Sequence, residues 1–189
     1  MSIKGDNSRN KILISARTLF AKMGYSRVTM KDICEASGFS RGGLYRHYSS
    51  TEEILTAIIK KDEEDALDFL ASAVRNKVSA KDMLLKFLEI RINIHLNPDN
   101  CIENALSEFA QNSVEGKELL KNRALTSIGI VKEMLEYGCS DSSFNCKDIE
   151  TTAKMILWTL EGIGKHNLLI PLTPDDTSKI VSFIYNSIK

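Results

Sequence analysis

No apolar run in the 189 residues approaches the ~20 that a membrane-crossing helix needs, so a bilayer-spanning protein is not expected. The opening stretch MSIKGDNSRNK is polar and lacks the apolar core of a secretory signal, which makes a cytoplasmic location the default expectation. The four cysteines, Cys34, Cys101, Cys139 and Cys146, form no C-x-x-C pair, and no histidine stands at zinc-finger spacing from them. His47, His95 and His166 are scattered, and the chain contains no G-x-S-x-G, no H-E-x-x-H and no Walker loop. Neither an enzyme, a metal site nor a bound cofactor is therefore expected. Strand-like alternation and internal repeats are also missing, which leaves an all-α chain. The formal net charge is +0, which taken alone speaks against a nucleic-acid partner.

The distribution of charge reverses that last inference. Residues 1–50 hold nine Lys/Arg and three acids, a net of +6, which leaves 16 basic and 22 acidic residues in 51–189, a net of −6. A basic head is joined to an acidic body. Attraction to phosphate falls to the head, while the body holds down non-specific contacts with DNA. Mean hydropathy is only slightly negative, so the chain has enough apolar content to fold, with room for a small domain (1–50) and a larger one (51–189).

Within the head, TMKDICEASGFSRGGLYRHY (29–48) reads as two short helices joined by a tight turn. Thr29 precedes Asp32 by three residues, the spacing of a capping box, and Met30, Ile33 and Cys34 give the first helix its apolar face. Gly38 suits a left-handed helix end, and Phe39 turns the chain inward. Ser40 is an N-cap for a second helix anchored by Leu44 and Tyr48. Such a helix-turn-helix places its second helix in the DNA major groove. Gly42 and Gly43 each cost roughly 1 kcal/mol relative to Ala in a helix. They are expected to let the backbone come close to another surface, with N–H groups free for a phosphate. Arg41 and Lys31 are the candidates for base contacts. Thr29, Tyr45 and His47 are the candidates for phosphate contacts, and Ser40 and Arg46 complete the surface.

The residues Thr29, Ile33, Ala36, Gly38, Phe39, Ser40, Gly43, Leu44, Tyr45, His47 and Tyr48, followed by Ser50–Ile54, resemble the DNA-binding domain of the TetR family of bacterial transcriptional regulators. The resemblance covers Ile12 to about Leu55. It departs at Thr51, where many members carry a lysine that touches phosphate. It implies a three-helix DNA-binding head, a helical body that binds a small-molecule effector and forms a homodimer, and a palindromic double-stranded operator. It also implies that effector binding shifts the spacing of the two heads through the long fourth helix.

Helical periodicity predicts about nine helices: 8–23, the two motif helices, 50–75 behind a Ser50/Glu53 capping box, 80–96, 102–111, 117–137 capped by Gly138, 148–169 and 175–188. The turn 97–100 separates the fifth from the sixth. Helix 148–169 is apolar on more than one face. Met155 and Trp158 are expected in the monomer core, leaving Ile156, Leu160, Ile163 and Gly164 for a dimer interface shared with Ile180, Phe183 and Ile184. The resemblance makes Phe87, Arg91, Phe109 and Trp158 candidates for lining an effector pocket, although aromatics at helical spacing are more often plain core. Cys139 and Cys146 flank a polar loop, so a thiol-redox-switched regulator is an alternative reading. An interaction adaptor that keeps the fold without binding DNA is another.

Overall fold

Helix α1 (Ile3–Met23) opens the chain in the computed structural model, which describes residues 3–97, 99, 101–167 and 169–189, with side chains from Asn7 onward. Among these residues the remaining elements are α2 (Met30–Ser37), α3 (Arg41–Tyr45), α4 (Thr51–Arg75), α5 (Ala80–Leu96), α6 (Glu103–Asn112), α7 (Val114–Ser140), α8 (Ile149–His166) and α9 (Pro174–Asn186), with no strand. No described helix is long and apolar enough to cross a membrane. In the expected 97–100 turn, Pro98 and Asn100 lie outside the described residues.

The chain divides into two units, one formed by residues 1–62 with 98–121 and the other by 63–97 with 122–189. Helices α4 and α7 contribute to both. The first unit buries Ile12, Ala16 and Phe20 of α1 with Ile33, Leu44 and Tyr48 of the motif. Ile54, Leu55, Ile58 and Ile59 of α4 and Leu106 and Phe109 of α6 close the same core. Its boundary therefore runs past residue 50, because the first half of α4 has its apolar stripe in this core. Tyr25 stacks between Phe20 and Phe109, with ring centroids 6.0 and 4.6 Å away. Full burial of each large apolar side chain is worth about 1.5–3 kcal/mol, so this handful of residues dominates the head's stability.

The second unit is built on α5, whose Met83, Leu84, Leu88 and Ile92 face Ala153, Ile156 and Leu160 of α8 and Val181 and Ile184 of α9. Helix starts here follow the side-chain caps that the sequence carries. Asp148 accepts from the Thr151 N–H at 3.0 Å, and Thr173 with Asp176 forms a full capping box.

Three expectations need correction. Gly138 does not cap α7, which runs on to Ser140; the glycine is there because the Phe144 ring occupies the space of any side chain. At the start of α4, Glu53 N–H does bond to Ser50 Oγ at 3.1 Å, but the Glu53 carboxylate caps Ser49 instead of Ser50, accepting from its N–H at 2.6 Å and its hydroxyl at 2.8 Å. The third concerns the face of α8. Ile156 and Leu160 are 4% and 0% exposed and Gly164 is buried, all inside the unit, while Met155 and Trp158 are 55% and 59% exposed. The apolar surplus exists on the opposite side of the helix. Ala153, Ile156, Leu157, Leu160 and Gly164 form one stripe at helical spacing, and the small members let α8 approach α5 closely.

Candidate nucleic-acid interface

The two motif helices are held by caps that match their sequence. Thr29 and Asp32 form the capping box: Thr29 N–H donates to Asp32 Oδ2 at 2.8 Å, and Asp32 N–H donates to Thr29 Oγ1 at 3.3 Å. These bonds, the one from the Thr29 hydroxyl first, hold the Asp32 carboxyl below its ordinary value. Gly38 ends α2 at φ 72°, the left-handed region that a side chain would strain. Ser40 Oγ then accepts from Gly43 N–H at 3.2 Å and starts α3.

Helix α3 is shorter than the expected 40–48. It spans Arg41–Tyr45, and the next N–H groups continue the turn: Arg46 bonds to Gly42 O, and His47 and Tyr48 bond to Leu44 O. Leu44 and Tyr48 point into the core, which leaves Arg41, Gly42, Tyr45 and Arg46 on the opposite, exposed face. The Arg41 guanidinium lies over the Tyr45 ring, 5.6 Å from its centroid, and Tyr45 is 43% exposed. A β-carbon at Gly42 would meet no atom within 4 Å, so the fold itself does not demand glycine there. Gly43 differs, because its N–H is used by Ser40 and a β-carbon would sit 3.1 Å from that hydroxyl.

The head's cations are not equally available. Arg17 is paired with Asp62, Lys22 with Asp99 at 3.1 Å, and Lys31 loosely with Glu35 at 3.8 Å. Arg41 and Arg46 have no carboxylate partner among the described residues. Lys11 of α1 reaches the turn of the motif: its ammonium lies 5.9 Å from the Phe39 ring centroid. His47 meets the same ring edge-on, with centroids 6.2 Å apart. Lys11 is 27 positions before Gly38 in sequence, and the packing of α1 against α2 brings it near. Thr29, in turn, has its hydroxyl proton committed to Asp32 at 2.7 Å, so a phosphate contact would have to displace that bond. Thr51 stands near the Tyr25 hydroxyl and favours its ionised form, but burial, the larger effect, keeps that hydroxyl above its usual range.

Phe87 belongs to the core of the second unit and Phe109 to the core of the first, while Trp158 is on the surface. Arg91 is half-buried on α5. The second unit has a different hollow of about 420 Å³ beside α4 and α5, lined by Phe69, Ser72, Ala73, Val78, Asp82, Met83 and Lys86. It also has a groove of about 330 Å³ between α8 and α9, bordered by Met155, Thr159, Phe183 and Ile184. Among the described residues no group of three His, Cys, Asp or Glu side chains is placed to hold a metal ion.

The helix-turn-helix geometry agrees with comparison to known proteins. The family described as "Bacterial regulatory proteins, tetR family" matches residues 12–58. The uncharacterized HTH-type transcriptional regulator YfiR of Bacillus subtilis (strain 168) is 45% identical over 62 residues, covering 33% of this chain and 30% of YfiR. The HTH-type transcriptional regulator UidR of Escherichia coli (strain K12) is 39% identical over 67 residues, covering 35% and 34%. The chain thus spans about a third of the length of the curated relatives it matches. Over nearly the whole length the fold is similar to that of Salmonella enterica GusR, with a TM-score of 0.72 at 22% identity and 95% and 94% of the two chains covered. The likeness to the TetR family of bacterial regulatory proteins is thus carried by residues 12–58.

Proposed function

We propose that the protein is a homodimeric transcriptional repressor, not an enzyme, that binds a palindromic DNA operator and is released from it by a small-molecule effector. The observation that carries this reading is the outer face of α3. Arg41, Gly42, Tyr45 and Arg46 stand exposed there, with no carboxylate partner for either arginine among the described residues, while Leu44 and Tyr48 anchor the helix from behind. A five-residue helix held by a capped turn presents that face to a major groove as a rigid element. Arg41 reads a base and Lys11 adds a phosphate contact beside the motif.

Dimerisation is supported by the exposed Trp158 of α8, and by the exposed Met155 of α8 and Phe183 of α9, which border one groove in the second unit. Two such helices from each chain would make a four-helix interface. Two-fold symmetry then sets the operator half-sites one or more helical turns apart, ~34 Å per turn. For the effector, the hollow beside α4 and α5 has a volume within the range of small-molecule sites, roughly 300–1,000 Å³. A ligand there would act on α4, the helix that continues into the head.

Selection of bound sequences from random duplex DNA, at a fixed salt of about 150 mM, tests the reading, since phosphate contacts alone move affinity by orders of magnitude with salt. A palindromic consensus is the expected result. Recovery of no consensus from an intact dimer would favour an adaptor without an operator.

A further inference from the structure

The turn between α1 and α2 is gripped by a helix outside the three of the DNA-binding head. Gly24 ends α1 in the left-handed region, at φ 77°, with its N–H bonded to Phe20 O at 3.0 Å. Two residues on, the Ser26 N–H donates to Glu108 Oε2 of α6 at 3.0 Å. The same carboxylate lies across Gly24, in the space that a β-carbon there would take. Tyr25, between the two, packs its ring on Phe109, the residue after Glu108. All of these residues belong to the first unit, whereas α5 and most of α7, which flank α6 in the chain, belong to the second.

These contacts act on one short run of backbone. Only residues 25–28 lie between Gly24 and Thr29, the N-cap of α2, and Val28 is buried within that run. Holding the Ser26 N–H therefore limits the direction in which α2 leaves the turn, and α2 carries α3 with it through the turn at Gly38. A hydrogen bond from an N–H to a carboxylate is also stronger than one to a neutral oxygen. Gly24 answers two demands at once, the left-handed backbone and the passage of the Glu108 carboxylate to Ser26.

We infer that Glu108 is a positioning residue for the helix-turn-helix: its carboxylate latches the α1–α2 turn to α6 and so sets the angle at which the motif is presented. The latch stands on the geometry of the free chain, and its effect on DNA rests on the operator reading above. Reach and charge separate this role from a purely electrostatic one. Removing an acidic group near a basic head would by itself tighten binding to every DNA. Losing the latch works in the opposite direction, and only on the sequence that needs the motif at one angle. Glutamine keeps the length of the side chain and an acceptor oxygen, while aspartate keeps the charge and is one methylene shorter.

Amide hydrogen exchange of the full chain, with titration of its selected operator and of unrelated duplex DNA at one salt concentration, tests this in Glu108→Gln, Glu108→Asp and Glu108→Ala. Exchange at the Ser26 N–H should be equally slow in the parent and Glu108→Gln, and faster in the other two. Operator affinity should fall about tenfold in Glu108→Asp and Glu108→Ala, the order expected for losing a hydrogen bond to a charged group. Binding to unrelated DNA should hold or tighten, and Glu108→Gln should stay close to the parent. A lowered urea midpoint with both affinities of the folded chain unchanged would make Glu108 merely structural and overturn the inference. So would binding that follows charge, with Glu108→Asp like the parent and Glu108→Gln like Glu108→Ala. A parent chain that selects no operator removes the operator reading and the positioning role with it, while exchange still decides whether the latch exists. Where Glu108→Ala fails to fold, the comparison of Glu108→Asp with Glu108→Gln decides the point.

Discussion

Gly164 of α8 and His95 of α5 share one space: a β-carbon at position 164 would overlap the imidazole ring of His95. The two helices are also tied where they end, as Asn167 Nδ2 donates to His95 O at 3.3 Å. Overpacking of a core costs about 1–3 kcal/mol. Replacing glycine by alanine inside a helix returns only ~1 kcal/mol. Gly164→Ala is therefore expected to lower the urea midpoint of unfolding. A raised midpoint would mean that the His95 ring swings aside and that position 164 does not set the approach of α8 to α5.

Gly42 and Gly43 are adjacent in sequence but answer to different demands. Nothing lies within 4 Å of a β-carbon at 42, so Gly42→Ala should stabilise the head, by up to ~1 kcal/mol. The same methyl group would stand on the face offered to DNA and weaken binding. At 43 the methyl would sit 3.1 Å from Ser40 Oγ and press on the cap that starts α3, so Gly43→Ala should gain less stability than Gly42→Ala. Thermal unfolding and DNA titration of both variants separate the two effects. A Gly42→Ala protein that binds DNA as tightly as the parent would remove close backbone approach as the reason for that glycine.

Arg41 rests on Tyr45 and, among the described residues, has no carboxylate partner, the freedom that a base-reading residue would need. Arg41→Ala is expected to lose about 1–3 kcal/mol of operator binding and to relax preference at one base position. An equal loss on every DNA sequence would assign it to phosphate instead.

The second unit leaves Trp158 and Phe183 largely in solvent, the latter 73% exposed. Trp158→Glu or Phe183→Glu should leave the fold intact and shift the protein towards monomer in analytical ultracentrifugation. A dimer that persists in both variants would place the subunit contact elsewhere. Polar substitution at Leu160, which is 0% exposed, should unfold the unit instead.

That contrast shows where the sequence was readable. The head was legible nearly residue by residue, because caps and turn residues act locally: Thr29 with Asp32, Gly38 and Ser40 each do what their spacing predicts. Helix α8 was legible as a helix but not in its rotation. Both of its faces are apolar, so hydrophobic periodicity alone does not choose between Met155–Trp158 and Ile156–Leu160. The small residues Ala153 and Gly164 carry the missing signal, since only close packing against another helix favours them on one stripe. Gly138 looked like a helix end because glycine usually is one, yet its demand comes from Phe144, six residues on. The contact of Lys11 with the Phe39 ring depends on tertiary packing, and local spacing does not single it out among the cations of α1.

Helix caps in both units also predict the response to acid. Asp32 is held below its ordinary carboxyl value by bonds from Thr29, Asp176 by bonds from Thr173, and Glu53 by bonds from Ser49. In each case the folded carboxyl releases its proton more readily than the unfolded one. The unfolded chain therefore takes up protons first as pH falls, and stability drops in that direction. The contribution is complete above the unfolded values, near 4, and is lost as pH falls through the lower folded values. Urea unfolding between pH 7 and 3 should be nearly flat to about pH 5 and then decline, from these carboxyls alone. Asp32→Asn should lower stability at neutral pH and make the acid decline shallower, because the group that titrates is gone. A decline beginning well above pH 5, unchanged in Asp32→Asn, would mean that a group other than the helix caps governs the acid response.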